Sequence, residues 1–114
     1  MQSNNYQQQP AASKILSAAE AKLLISQAQK GSLMARNKLL LANQKLIYFL
    51  IKKYPTRGVS FEDLVAEANL GLMKAIQKFD SNLGNRFSTY ASWWIRDSLN
   101  NAANKYVGRL IKQQ

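Results

Sequence analysis

The sequence predicts an all-α protein, a compact bundle of about four helices behind a disordered N-terminal tail. Three observations lead there. Only two prolines and five glycines fall in 114 residues, too few for a turn-rich all-β fold. Apolar residues recur at three- and four-residue spacing over most of the chain. Three periodic segments open with a serine able to cap a helix, namely Ser17, Ser32 and Ser60. Hydrophobic residues make up 46%, enough for one modest core and not two. We therefore expect one helical domain over residues 14–114.

Residues 1–13 are rich in Gln, Asn and Ser and offer little to bury, which predicts the tail. Ser17-Ala18-Ala19-Glu20 has the form of a capping box. Leu23, Leu24 and Ala28 continue it as an apolar stripe, and Gly31 supplies a stop, so a helix is expected over about 18–29. From Ser32 the apolar positions Leu39, Leu40, Leu46, Ile47, Leu50 and Ile51 read as one long helix. It is expected to run to Tyr54 and to be ended by Pro55. Lys45, Lys52 and Lys53 form its polar side.

After the loop Thr56-Arg57-Gly58-Val59, Ser60 caps a third helix. Its stripe is Phe61, Leu64, Val65, Ala68, Leu72, Ile76 and Phe79. Glu62, Asp63 and Glu67 are half of the six acids in the chain. Acid near a helix N-terminus is favourable in itself, which accounts for Glu62 and Asp63 but poorly for Glu67. An acidic island in a basic chain suggests a basic protein partner. Residues 80–86 read as a turn-rich loop.

A last helix is expected over about 88–106, with the basic tail Lys105, Arg109 and Lys112 beyond. At about 100° per residue two faces separate. One carries Ala91, Ile95, Leu99 and Ala102. The other carries Tyr90, Trp93, Trp94, Asp97, Asn101 and Asn104, with Trp94 at the border and able to be half buried. Aromatics that share a face with amides argue against a plain core role.

Charge narrows the function. Sixteen Lys and Arg face six Asp and Glu, a net charge of +10, which favours a polyanionic partner, nucleic acid first. The chain has no cysteine and no histidine. Disulfides and thiolate metal sites are excluded, and the commonest general base and metal ligand are missing. No catalytic set, cofactor or metal site is expected. No apolar run approaches the eighteen or so residues of a membrane span, and Met1-Gln2-Ser3-Asn4-Asn5 lacks a signal-peptide pattern, so an intracellular protein is the default.

Lys and Arg interleaved with Tyr and Trp form the composition of a single-strand nucleic-acid platform. Each stacked base is worth about 1–3 kcal/mol, and opening a base-pair step costs about 1.4 kcal/mol. A few stacked bases can therefore offset local melting without ATP. A membrane-surface helix would segregate its basic and aromatic residues, which this chain does not do.

The residues also carry a resemblance. Ala42-Asn43-Gln44-Lys45-Leu46, Lys52-Lys53-Tyr54, Arg57 through Leu64, Glu67 through Ala75, Lys78-Phe79-Asp80 and Phe87 through Arg96, in this order and spacing, resemble the end of region 1.2 and all of region 2 of sigma-70 family factors. The resemblance covers about residues 15–106 and implies a bacterial cytoplasmic protein that binds RNA polymerase core and promoter DNA. By this resemblance Asp63, Glu67, Asn69 and Met73, with Glu62 beside them, dock on the clamp helices of the polymerase β′ subunit. Tyr90, Trp93 and Trp94 sit at the upstream edge of the melted bubble. Tyr90 with Phe79 and Asp80 lines the pocket for the flipped adenine of the −10 element, and Thr89 belongs to the same strand-binding set. Asn43 and Asn69 lie near the pocket for its last thymine, and Arg86, Arg96 and Lys105 follow the non-template backbone.

Departures from the family pattern bear on specificity. Asp97 stands where the family usually has Gln and Asn100 where it has Thr, at positions that read the duplex at the upstream end of the −10 element. A carboxylate favours the cytosine amino group over adenine. Asn85 replaces a usual aromatic and Leu83 a usual Arg. The match ends soon after region 2, so the chain is expected to be a fragment or a minimal relative. The leading expectation is a promoter-melting module. The alternative is an interaction protein that occupies the β′ clamp without opening a promoter, or the target of an anti-sigma factor.

Overall fold

The computed structural model describes residues 16–54 and 58–112. The expected tail, 1–13, lies outside them, as do Pro55, Thr56 and Arg57. Among the described residues there are five α-helices and one 3-10 turn: α1 (Ala18–Gln29), α2 (Leu33–Ala42), α3 (Gln44–Lys53), α4 (Phe61–Lys78), the turn Ser81–Leu83 and α5 (Phe87–Lys112).

The caps act as read. The Ser17 hydroxyl accepts from the Glu20 N–H at 3.1 Å, and the Glu20 carboxylate accepts from the Ser17 N–H at 3.0 Å. Gly31 takes a φ of +105°, left-handed backbone that glycine adopts without strain. Ser32 and Ser60 each accept from the N–H three residues on, at 3.1 Å.

The expected single helix from Ser32 to Tyr54 is two helices. The chain breaks at Asn43 (φ −109°, ψ 12°). There the Asn43 amide donates to the Leu39 carbonyl and the Gln44 amide to the Leu40 carbonyl, both at 2.8 Å. These side chains satisfy carbonyls that a continuing helix would have left to backbone N–H groups. The apolar periodicity hides the break, because Leu39 and Ile47 are buried on either side of it. This is why five helices stand where about four were expected.

The core gathers Ile25, Leu39, Ile47, Leu72, Ile76, Ile95 and Leu99. The largest helix contact is α4 against α5. It closes at Gly71, where a Cβ would stand 2.6 Å from both the Trp94 carbonyl oxygen and the Ser98 hydroxyl. Only a residue without a side chain lets the two backbones approach this far. Ser98 is buried at the same crossing, beside the expected Ala91, Ile95, Leu99 and Ala102. Gln29 of α1 ties off the end of α4, donating to the carbonyls of Ile76 and Phe79 at 2.9 Å each. No helix among the described residues is long and apolar enough to cross a membrane.

Candidate nucleic-acid interface

Five aromatic rings form a row along the start of α5 and the end of α4. Phe87 packs edge-on against Phe79 at 5.2 Å, Phe79 lies 5.4 Å from Tyr90, Tyr90 6.3 Å from Trp94, and Trp94 5.0 Å from Trp93. From Phe79 the row runs outward: Phe79 is 9% exposed and Trp93 59%. The Tyr90 hydroxyl reaches the Lys78 carbonyl at 3.4 Å. The Trp94 indole N–H is buried without an acceptor among the described residues. Such a group costs stability until something accepts from it.

This corrects the sequence-based division of α5. Tyr90 is partly buried against the core and does not share an open face with the amides, while Trp94 is half-buried at the border, as its position allowed. The reason is helical spacing: Trp94 follows Ala91 by three residues and precedes Ser98 by four, so it borders the buried stripe. Trp93 keeps the open position. Phe79, expected in a base pocket, has its own ring in the core, and Asp80 caps the following turn, its carboxylate accepting from the Asn82 N–H at 2.9 Å.

The expected strand-following cations separate. The Arg96 guanidinium lies over the Tyr54 ring, 4.5 Å from its centroid. Arg86 lines a cleft of about 430 Å³ between α1, α2 and the start of α5. Asn43, Phe79 and Lys22 line the same cleft, over a floor that includes Ile25 and Leu39, and no carboxylate lines it. Phe87 and Ser88 open α5 there, so the positive end of that helix adds to Arg86 and Lys22. Asn69 does not line it. Its side-chain oxygen accepts from Gln44 at 3.0 Å, which ties it to the residue next to Asn43. Asp97 is half-buried, whereas Thr89 and Asn100 are exposed.

The residues expected to meet polymerase lie on the outer side of α4. At 100° per residue Glu62, Asn69 and Met73 form one row and Asp63 with Glu67 the adjoining one. Between them sits the exposed Leu70, which the sequence reading passed over. Glu67 pairs with Lys105 at 3.6 Å, with the Lys105 side chain largely exposed. Gln29 and Gln44 were also missed. Both act across tertiary distance, and nothing in their local sequence signals it.

Comparison with known proteins defines the class. Residues 39–108 match the family model described as Sigma-70 region 2, which places this chain in the sigma-70 family. RNA polymerase sigma factor SigA of Listeria monocytogenes is 44% identical over 88 residues, 77% of this chain and 24% of that protein. SigA of Mycoplasma genitalium is 46% identical over 82 residues, 72% of this chain and 16% of its own. The chain therefore spans about a quarter or less of these relatives.

Proposed function

We propose that the chain is a sigma-type module for transcription initiation. It binds RNA polymerase core through the outer side of α4 and captures non-template bases of the −10 element along the start of α5. The role is recognition and binding, with no catalytic chemistry. One observation carries the reading: the ring row Phe79, Tyr90, Trp94, Trp93, anchored in the core and ending in an exposed indole beside the cation Arg96. An anchored row holds its outer ring ready, so less ordering entropy is lost when a base stacks on it. At about 1–3 kcal/mol per stacked base, two or three captured bases offset the opening of a short A/T-rich segment at about 1.4 kcal/mol per step. The cleft beside Asn43, apolar below and cationic at its rim, has the chemistry to take a further extruded base with its phosphate. The acidic rows of α4 suit the basic clamp helices of β′.

A second reading, occupancy of the clamp without promoter opening, draws on Asp97, a carboxylate beside the strand-binding surface that repels phosphate. One experiment separates the two. Core polymerase, with and without this protein, is mixed with a fluorescent non-template oligonucleotide carrying TATAAT or a scrambled sequence. Binding that needs both proteins and prefers TATAAT is the expected result. Polymerase binding without that preference favours occupancy, and no polymerase binding overturns both.

A further inference from the structure

Beyond Asn104 the outward stripe of α5 turns apolar. At 100° per residue Trp93, Asn100, Asn104, Val107 and Ile111 form one line along the helix, and all five are exposed. Val107 is 51% exposed and Ile111 64%. Leu110 lies to the side of them, on the line of Leu99 and Tyr106, and continues the buried side of the helix. No acid occurs from Ser98 to Gln114, whereas Lys105, Arg109 and Lys112 do. Lys105 and Lys112 flank the stripe on one side, and Gly108 lies between them and it. A Cβ at Gly108 would meet nothing within 4 Å. Glycine weakens a helix interior, and no packing among the described residues calls for one here. This flank of the helix is therefore flat, cationic and open to something outside the chain.

We infer that the end of α5 lies in the major groove of the duplex upstream of the −10 element, with Val107 and Ile111 against thymine methyl groups. The placement rests on the function proposed above: Trp93 stands where the duplex ends, and Asn100, further along the same line, faces base pairs. The major groove, about 12 Å wide, admits a helix. Each A·T pair presents there the thymine C5 methyl, the apolar group of that base edge. Valine and isoleucine gain from covering a methyl group, and their side chains make no hydrogen bond that would select another base. A single strand is a poor match, since an unstacked base takes the flat face of a ring and neither residue has one. Lys105 and Lys112 meet the phosphates of one groove wall, and Gly108 lets that wall come close. The Lys105 side chain is 65% exposed beside Glu67, which leaves it room to reach a phosphate. At 1.5 Å per residue Val107 and Ile111 stand about 10 and 16 Å along the helix from Asn100. At 3.4 Å per base pair they fall about three and five pairs further upstream.

The test uses the full chain, with and without core polymerase, on fork-junction probes that join a TATAAT single strand to one turn of upstream A·T duplex. Thymine is replaced by deoxyuridine, one position at a time, through that duplex. The change removes a methyl group and leaves every base-pair hydrogen bond and every charge in place. Deoxyuridine is expected to weaken binding about fourfold, the worth of one buried methyl group, at one or two positions about three to five pairs above the pair that Asn100 faces. Val107→Ala and Ile111→Ala are each expected to abolish one of these effects. Gly108→Ala is expected to raise thermal stability, since alanine is the better helix former, yet to weaken binding of the duplex-bearing probe and not of the single strand. Val107 and Ile111 are exposed, and circular dichroism checks that the variants fold. No deoxyuridine effect at any position, or effects as large in both alanine variants as in the parent chain, overturns the inference. Weaker binding of either variant to core polymerase without DNA assigns the stripe to a protein contact and overturns it too. If TATAAT preference fails while the deoxyuridine effects remain, the −10 role proposed above is wrong and the groove contact stands.

Discussion

Glu67 on α4 and Lys105 on α5 meet at 3.6 Å, joining the two surfaces through which the protein is proposed to act. A pair of this length with its lysine largely exposed contributes about 1 kcal/mol or less, so it is easily exchanged for a partner. Glu67→Lys is expected to weaken binding to core polymerase, most at low salt, and to leave the circular dichroism spectrum unchanged. Undiminished polymerase binding would reduce the acidic rows to a solvated helix face.

Trp93 and Trp94 differ in burial, so their substitutions should part. Trp93→Ala is expected to lower single-strand affinity by about 1–3 kcal/mol with no change in melting temperature. Trp94→Ala removes a half-buried ring and is expected to cost about 2 kcal/mol of stability, roughly half the cost of a fully buried one. Thermal melts beside oligonucleotide titrations distinguish the two effects.

Gly71→Ala is expected to destabilise by about 1–3 kcal/mol, the usual cost of overpacking. Adding Ser98→Gly should recover only part of the loss. The new methyl group would meet the Trp94 backbone carbonyl as well as the Ser98 hydroxyl, and the carbonyl cannot be removed. Full recovery in a denaturant melt would mean that the hydroxyl alone limits the approach.

Asn43→Ala deletes the amide that holds the Leu39 carbonyl. The expected loss is about 1 kcal/mol, the net worth of one such bond. If the α2–α3 break is set by this side chain, helical ellipticity should rise slightly as stability falls. Unchanged ellipticity with unchanged stability would assign the break to Gln44 and the core.

Asp97→Gln is expected to shift preference at the upstream base pair of the −10 element from C·G towards a pair presenting adenine, by about tenfold. A carboxylate accepts from the cytosine amino group, whereas an amide both donates to and accepts from adenine. Fork-junction probes differing only at that pair measure it, in the presence of core polymerase.

Helix starts were legible because their signals are local: Ser17 with Glu20, Ser32, and Ser60 each act within one turn. The helix break at Asn43 was not legible, since Leu39 and Ile47 keep the apolar rhythm across it and the capping amides look like ordinary polar positions. The buried stripe of α5 and the border position of Trp94 were legible from the spacing, while Tyr90 was assigned too far from the stripe. Angle alone ranks a border residue as outside, yet a long ring reaches back over the stripe. The Gln29 link to the end of α4 and the Gln44–Asn69 bond depend on which helices become neighbours, and no local pattern encodes that. Family motifs led to the aromatic row before its geometry was known, but they gave no sign that Lys105 lies within ion-pair distance of Glu67.

The backbone contact at Gly71 makes α4 and α5 a single plate with no compliant layer of side chains between its leaves at that point. A load applied to the outer rows of α4 is delivered to the rings on the other leaf without a hinge to absorb it. Register between the two surfaces is therefore built into the spacing of two main chains, and a partner gripping one side sets the position of the other.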